Sequence, residues 1–75
     1  MESRPQPFDT LNAARGKRVI IELNNGNQYV GVLRAFDQNI NVSLDDVEER
    51  VDGQVKRKLG TTFIRGDKVI FISLA

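Results

Sequence analysis

Two short stretches of this 75-residue chain, Asp37-Gln38-Asn39-Ile40-Asn41 and Arg65-Gly66-Asp67, combine amide, carboxylate and guanidinium groups. This is the chemistry that reading a nucleobase requires. The carboxamide of Asn39 or Asn41 offers a donor and an acceptor to a uracil edge, and the planar guanidinium of Arg65 can stack on a base face. Asp37 can hold either group in one rotamer, the preorganisation that makes a small site selective. The same residues are also ordinary turn formers, and Gly66-Asp67 is a common turn dipeptide, so residue type alone leaves both readings open.

Other chemistries find little footing. The chain has no cysteine and no histidine, no glycine-rich phosphate loop and no serine in a nucleophile motif, so binding is expected rather than catalysis. No cofactor or metal is expected: Asp45, Asp46, Glu48 and Glu49 lack the oxygen-ligand spacing of a calcium loop and read as a solvated strand and turn. The net charge is only +1, yet Lys/Arg against Asp/Glu run five to three over residues 1–36, one to six over 37–54 and five to one over 55–75. The basic run Lys56-Arg57-Lys58 reads as a solvated strand edge that adds weak phosphate attraction. Arg65-Gly66-Asp67 also spells an adhesion tripeptide, but a tight turn accounts for it.

The elements that must position the two stretches follow from periodicity. Residues 1–7 are polar, with no apolar signal-peptide core, and are expected to be flexible; residues 8–75 read as one domain. Phe8 to Arg15, with apolar residues three apart and an early acid, predicts a short helix ended by Gly16. Beyond it the period becomes two. Val19, Ile21 and Leu23 mark a first strand, Asn24 to Asn27 a hairpin, and Tyr29, Gly31, Leu33 and Ala35 one face of a second strand. Gly31 suits a bulge or sharp bend. Ile40, Val42 and Leu44 open a third strand that runs to the Asp52-Gly53 turn, and a fourth strand returns from Val55 to Ile64. The unbroken apolar run Val69 to Ile72 predicts a fifth strand buried on both faces. The expected fold is therefore all-β: a short helix followed by a strongly bent five-stranded antiparallel sheet forming a small open barrel.

This topology puts the second and fourth turns at one end of the sheet, so Asp37, Gln38, Asn39, Asn41, Arg65 and Asp67 should converge. It also raises a stability problem. A domain this small buries only about 60% of its unfolded surface, and without cysteine or histidine the remaining support is oligomerisation. A last strand buried on both faces needs cover from another subunit; strand pairing that repeats with a rotation closes a head-to-tail ring. Tyr29 is expected to pack in the core. Phe36, on the opposite face, is read with Asn12 as a second RNA contact on the helix side.

From Gly16 onward, about four-fifths of the chain, the sequence resembles the Sm and Sm-like family. The resemblance rests on Val30-Gly31-Val32-Leu33 through Asp37-Gln38-Asn39-Ile40-Asn41, then Leu59-Gly60 through Ile64-Arg65-Gly66-Asp67, two segments in order at about 16–48 and 59–73. Archaeal members look most similar, in the Arg-Pro opening, the short helix and the Ile-Arg-Gly-Asp turn. The resemblance implies the Sm fold, an SH3-like barrel, and a homo-oligomeric ring, heptameric by the family's habit, joined through the fourth and fifth strands. It implies binding of uridine-rich single-stranded RNA in support of RNA processing or ribonucleoprotein assembly, with other RNA-processing proteins as partners. In that reading Asn41 hydrogen-bonds uracil, Arg65 stacks on it, Asp37 and Asp67 orient them, and Gly66 lets the turn come close. One position departs: Asn39 stands where the family usually has a histidine or aromatic residue that stacks on the other face of the base. The expected setting is soluble and cytoplasmic, with no membrane partner. The competing reading is a small β-barrel for protein recognition, or a scaffold ring with little direct RNA contact.

Overall fold

The computed structural model describes residues 7–75, Pro7 through its place in the helix alone; the flexible segment expected over residues 1–7 falls almost wholly outside them. Helix α1 (Pro7–Ala13) is followed by β1 (Arg18–Leu23), β2 (Gln28–Phe36), β3 (Val42–Val51), β4 (Gln54–Leu59), β5 (Thr62–Ile64), a 3-10 turn (Gly66–Lys68) and β6 (Val69–Leu74). All pairings are antiparallel, in the order β4-β3-β2-β1-β6, with β5 also paired to β3. The helix ends two residues earlier than its periodicity suggests. Ala14 and Arg15 donate back to the Leu11 and Asn12 carbonyls, and Gly16, at φ +82°, makes the left-handed exit.

Turn chemistry is local and behaves as its residues dictate. Asp52 and Gly53, at φ +53° and +77°, form the two-residue hairpin turn between Val51 and Gln54. At the first hairpin the Gly26 N–H donates to the Leu23 carbonyl and the Leu23 N–H to the Asn27 carbonyl, both at 2.9 Å, with Gly26 left-handed at φ +86°. Gly31 sits where β2 and β3 shift register. A Cβ there would meet the Asp45 carbonyl oxygen at 2.8 Å and Val47 Cγ2 at 2.9 Å, so the sheet bends over a residue with no side chain.

The core lies inside this bend: Val19, Ile21, Leu33, Leu44 and Val47 are fully buried, with Val42 and Ile64 beside them, Leu11 from α1 and Ala14 from the turn that follows it. The two-residue repeat misplaces some residues across the bulges. Ala35 is exposed and Val30 buried, because register shifts between Val30 and Val32 and again between Leu33 and Ala35 break the alternation.

Three further expectations are corrected. The fourth strand is two strands, β4 and β5, parted at Gly60 and Thr61, each pairing with a different half of β3. The third strand starts at Val42, because Ile40 is left-handed at φ +59°. The last strand is not buried on both faces within one chain: Ile70 is 59%, Phe71 42% and Leu74 59% exposed.

The acidic stretch is also less uniform than its composition suggests. Asp45 pairs with Arg34 at 3.0 Å and accepts from Thr61 Oγ1 at 2.8 Å. Glu49, expected to be solvated, is only 7% exposed. Its carboxylate accepts from Tyr29 Oη at 2.6 Å and from Arg57 Nε and Nη2 at 2.8 and 3.1 Å. The Arg57 guanidinium and then the Tyr29 hydroxyl hold the Glu49 carboxyl down to about 2 from 4.5. Because the folded value is the depressed one, this contribution to stability is complete above pH 4.5 and is lost as pH falls through about 2. No helix among the described residues is long and apolar enough to cross a membrane.

Candidate nucleic-acid interface

The loop from Asp37 to Asn41 repeats the geometry of the first hairpin turn. Ile40 N–H donates to the Asp37 carbonyl and Asp37 N–H to the Asn41 carbonyl, each at 3.1 Å, as Gly26 and Leu23 do with their partners. The left-handed corner that Gly26 fills in one loop is filled in the other by Ile40, a β-branched residue for which that conformation costs on the order of 1–3 kcal/mol. Two features hold it. Ile40 packs against the core, and the Asp37 carboxylate ties the loop internally. Asp37 Oδ1 accepts from the backbone N–H of Asn39 at 2.9 Å and of Asn41 at 3.1 Å, while Oδ2 accepts from Asn41 Nδ2 at 3.0 Å. The Asn41 side-chain bond is the first cause of the lowered Asp37 pKa, and the two backbone bonds add to it.

The second loop docks on the first. Gly66 N–H donates to Asn41 Oδ1 at 2.8 Å across 25 positions of sequence. A Cβ on Gly66 would overlap the Asn39 carbonyl oxygen and lie 2.7 and 2.8 Å from the Ile40 carbonyl carbon and oxygen. Gly66 is thus required for space. Arg65, extended at φ −76° and ψ 135°, precedes the 3-10 turn, and its Nη2 pairs with Asp67 Oδ2 at 3.2 Å. The Arg65 side chain remains 80% exposed, so the ion pair steadies a guanidinium whose faces are open to solvent.

The structure therefore brings Asp37, Asn39, Asn41, Arg65, Gly66 and Asp67 together, and divides the labour between the two acids: Asp37 holds Asn41 and Asp67 holds Arg65. Asn41 keeps one amide N–H and one oxygen lone pair beyond those committed to Asp37 and Gly66. Gln38 and Asn39 are exposed. Phe36 packs edge-on against Phe8, with ring centroids 4.9 Å apart, whereas Asn12 accepts from Arg15 Nη1 at 3.4 Å beside a shallow hollow lined by Arg15, Gly16, Leu33 and Arg34. Among the described residues no cluster of His, Cys, Asp or Glu is placed to hold a metal ion.

Two features of the site escaped the sequence. Nothing in a two-residue alternation announces that Ile40 turns left-handed. The family resemblance implies that Gly66 lets the turn come close, but its docking on Asn39 depends on how strands separated in sequence are folded together.

Known proteins share this fold. The profile of the LSM domain family matches residues 9–74. The Sm-like protein LSM6A of Arabidopsis thaliana is 43% identical over 67 residues, 89% of this chain and 74% of that protein. The Sm protein of Pyrococcus abyssii, solved in complex with a uridine heptamer, superposes with a TM-score of 0.91 at 35% identity, over 95% of this chain and 100% of that one. A heptameric archaeal Sm protein superposes with a TM-score of 0.82 at 44% identity, over 88% of this chain and 96% of the other. With the match spanning both loops and the strands that carry them, the chain belongs to the LSM domain family of Sm and Sm-like proteins.

Proposed function

We propose that this chain is the RNA-binding subunit of a homo-oligomeric ring, a heptamer, that grips uridine-rich single-stranded RNA and supports RNA processing or ribonucleoprotein assembly in the cytoplasm. The observation that carries the reading is the state of Asn41. Its amide is fixed at both ends, by Asp37 and by Gly66, and still has one N–H and one lone pair to offer. Uracil presents the complement, an O4 acceptor beside an N3–H donor. Arg65 supplies a stacking plane next to it. The uridine-bound relative adds support from outside the chain.

The ring part of the proposal rests on the two free edges of the sheet. One edge, β6, exposes Ile70, Phe71 and Leu74; the other, β4 with β5, exposes Phe63 at 80%. Between α1 and β6 lies an open groove of about 1070 Å³ that includes Leu11, Val19, Ile70 and Ile72. Such edges favour strand addition by a further copy, and a relative that is itself heptameric supports a ring.

Native mass spectrometry at micromolar concentration should give several times the 8.4 kDa monomer mass, and a monomer would sink the ring. Fluorescence polarisation with oligouridine, oligoadenosine and oligocytidine should rank uridine first, and no binding at low salt would favour a scaffold. Arg65→Ala should weaken oligouridine binding at least about fivefold, since a base stack on a side chain is worth roughly 1–3 kcal/mol.

Asn39 gives a second, smaller test. Its exposed amide is a poor stacking platform, and the bond its backbone makes to Asp37 does not depend on the side chain. Asn39→His should therefore leave the loop intact and tighten oligouridine binding several-fold, a fraction of the roughly 1–3 kcal/mol of a full stack. Unchanged affinity would mean that the second face of the base needs no partner here.

A further inference from the structure

Strand β4 carries no buried side chain: Gln54, Val55, Lys56, Arg57 and Lys58 are exposed and only Leu59, at its end, is half-buried against the core. It is also a free edge, and Gly60 and Thr61 separate it from β5. Packing alone does little to fix its register, and register is what an edge strand must have before another strand can pair with it.

That register is unusual. Counting back from the Asp52-Gly53 turn, Val51 faces Gln54 and Arg50 faces Val55, so regular pairing would set Glu49 opposite Lys56 and Glu48 opposite Arg57. The observed partners are Glu49 with Arg57, Glu48 with Lys58 and Val47 with Leu59, with the shift falling between Glu49 and Arg50. Lys56 is bulged out. Simple charge matching does not choose between the two alignments, since either puts a cation opposite each glutamate. The two-pronged bond does. In the observed alignment Arg57 grips Glu49 through Nε and Nη2, at 2.8 and 3.1 Å, a geometry that lysine cannot reproduce. Glu49 is in turn held from β2 by Tyr29 Oη at 2.6 Å.

We infer that Tyr29, Glu49 and Arg57 form a register lock across β2, β3 and β4 that sets the bulged alignment of the outer strand and so decides which β4 backbone groups face outward to a neighbouring subunit. A slip of one residue exchanges the inward and outward N–H and C=O groups along the strand. The second anchor of the same register is Leu59, which the shift brings opposite Val47. The inference rests on the ring reading for its consequence, though not for the lock itself.

The test compares wild type, Arg57→Ala, Arg57→Lys and Tyr29→Phe, using native mass spectrometry over a dilution series and amide hydrogen exchange on the same samples. Arg57→Ala should speed exchange selectively in β4 and raise the concentration at which the assembly falls apart at least tenfold. Arg57→Lys should recover only part of this, and Tyr29→Phe should shift it less than either. The inference is overturned if β4 exchange in Arg57→Ala matches wild type, or if exchange rises equally in β1, β2 and β6, which is general destabilisation. A monomeric wild type overturns the ring reading, and the β4 exchange of the variants then still decides whether the lock exists. An assembly of unaltered stability beside loosened β4 amides would overturn the lock's role in assembly.

Discussion

Gly66→Ala is expected to abolish oligouridine binding. The new Cβ would overlap the Asn39 carbonyl oxygen and crowd the Ile40 carbonyl. Because the obstacle is backbone on both sides, no rotamer change relieves it, and the two loops must move apart. Separation breaks the bond from Gly66 N–H to Asn41 Oδ1, leaving Asn41 held at one end and Arg65 displaced from it. Overpacking of this kind costs about 1–3 kcal/mol in stability, so a drop in melting temperature should accompany the loss of binding. The strands lie outside the overlap, and far-UV circular dichroism should stay that of a β protein. Full binding by a folded variant would mean that contact between the loops is not what makes the site.

How far the sequence announces this site depends on the range of the interactions that build it. The hairpins at Asn24 to Asn27 and Asp52-Gly53 are legible because Gly26, Asp52 and Gly53 meet a local backbone demand by themselves. The pairing of the second and fourth turns at one end was also legible, since an antiparallel meander sorts its turns by parity. The break that divides β4 from β5 was not, because it arises where β3 changes partners. Glu49 shows the same limit. In the sequence it is one of four nearby acids; in the fold, a one-residue bulge brings Arg57 opposite it, and burial and charge then act together. The alternation predicts Tyr29 as a core residue, and it does pack on the core. Its hydroxyl, however, belongs to this polar cluster, where burial first and the Glu49 carboxylate second push its pKa up.

The exposed β6 is instructive in the opposite sense. Val69 to Ile72 is apolar on both faces, and one chain leaves much of it uncovered. The pattern fits the proposed ring, in which a further copy would cover what one chain leaves exposed. Ile40 carries the complementary lesson. A position whose geometry calls for glycine or asparagine holds isoleucine, and the strain is balanced by its packing on the core and by three bonds to Asp37.

Those three bonds make Asp37→Asn the sharpest test of how a base is chosen. A carboxylate is acceptor-only, so it sets one direction for the chain of bonds: Gly66 N–H to Asn41 Oδ1, then Asn41 Nδ2 to Asp37 Oδ2. An asparagine at 37 keeps the shape and can still accept from the backbone of Asn39 and Asn41, but its NH2 then faces the NH2 of Asn41. Turning the Asn41 amide over relieves that clash and creates another, amide donor against the Gly66 N–H. The remaining free edge of Asn41 loses its fixed polarity. Turned over, it matches cytosine, whose N4 donates and N3 accepts, in place of uracil. Asp37→Asn should therefore lower the ratio of oligouridine to oligocytidine affinity about tenfold or more, the scale of a lost two-point base contact, with the fold unchanged. The pH dependence has the same origin. Asn41 first, and the backbone bonds after it, hold the Asp37 pKa below its ordinary 3.8, so the ordered loop is complete above pH 3.8 and is lost only as pH falls through the lower folded value. Near neutral pH wild-type selectivity should be flat, and the variant should reproduce there what acid does to the wild type. An unaltered uridine-to-cytidine ratio in a folded Asp37→Asn protein would show that the carboxylate orders the loop without choosing the base.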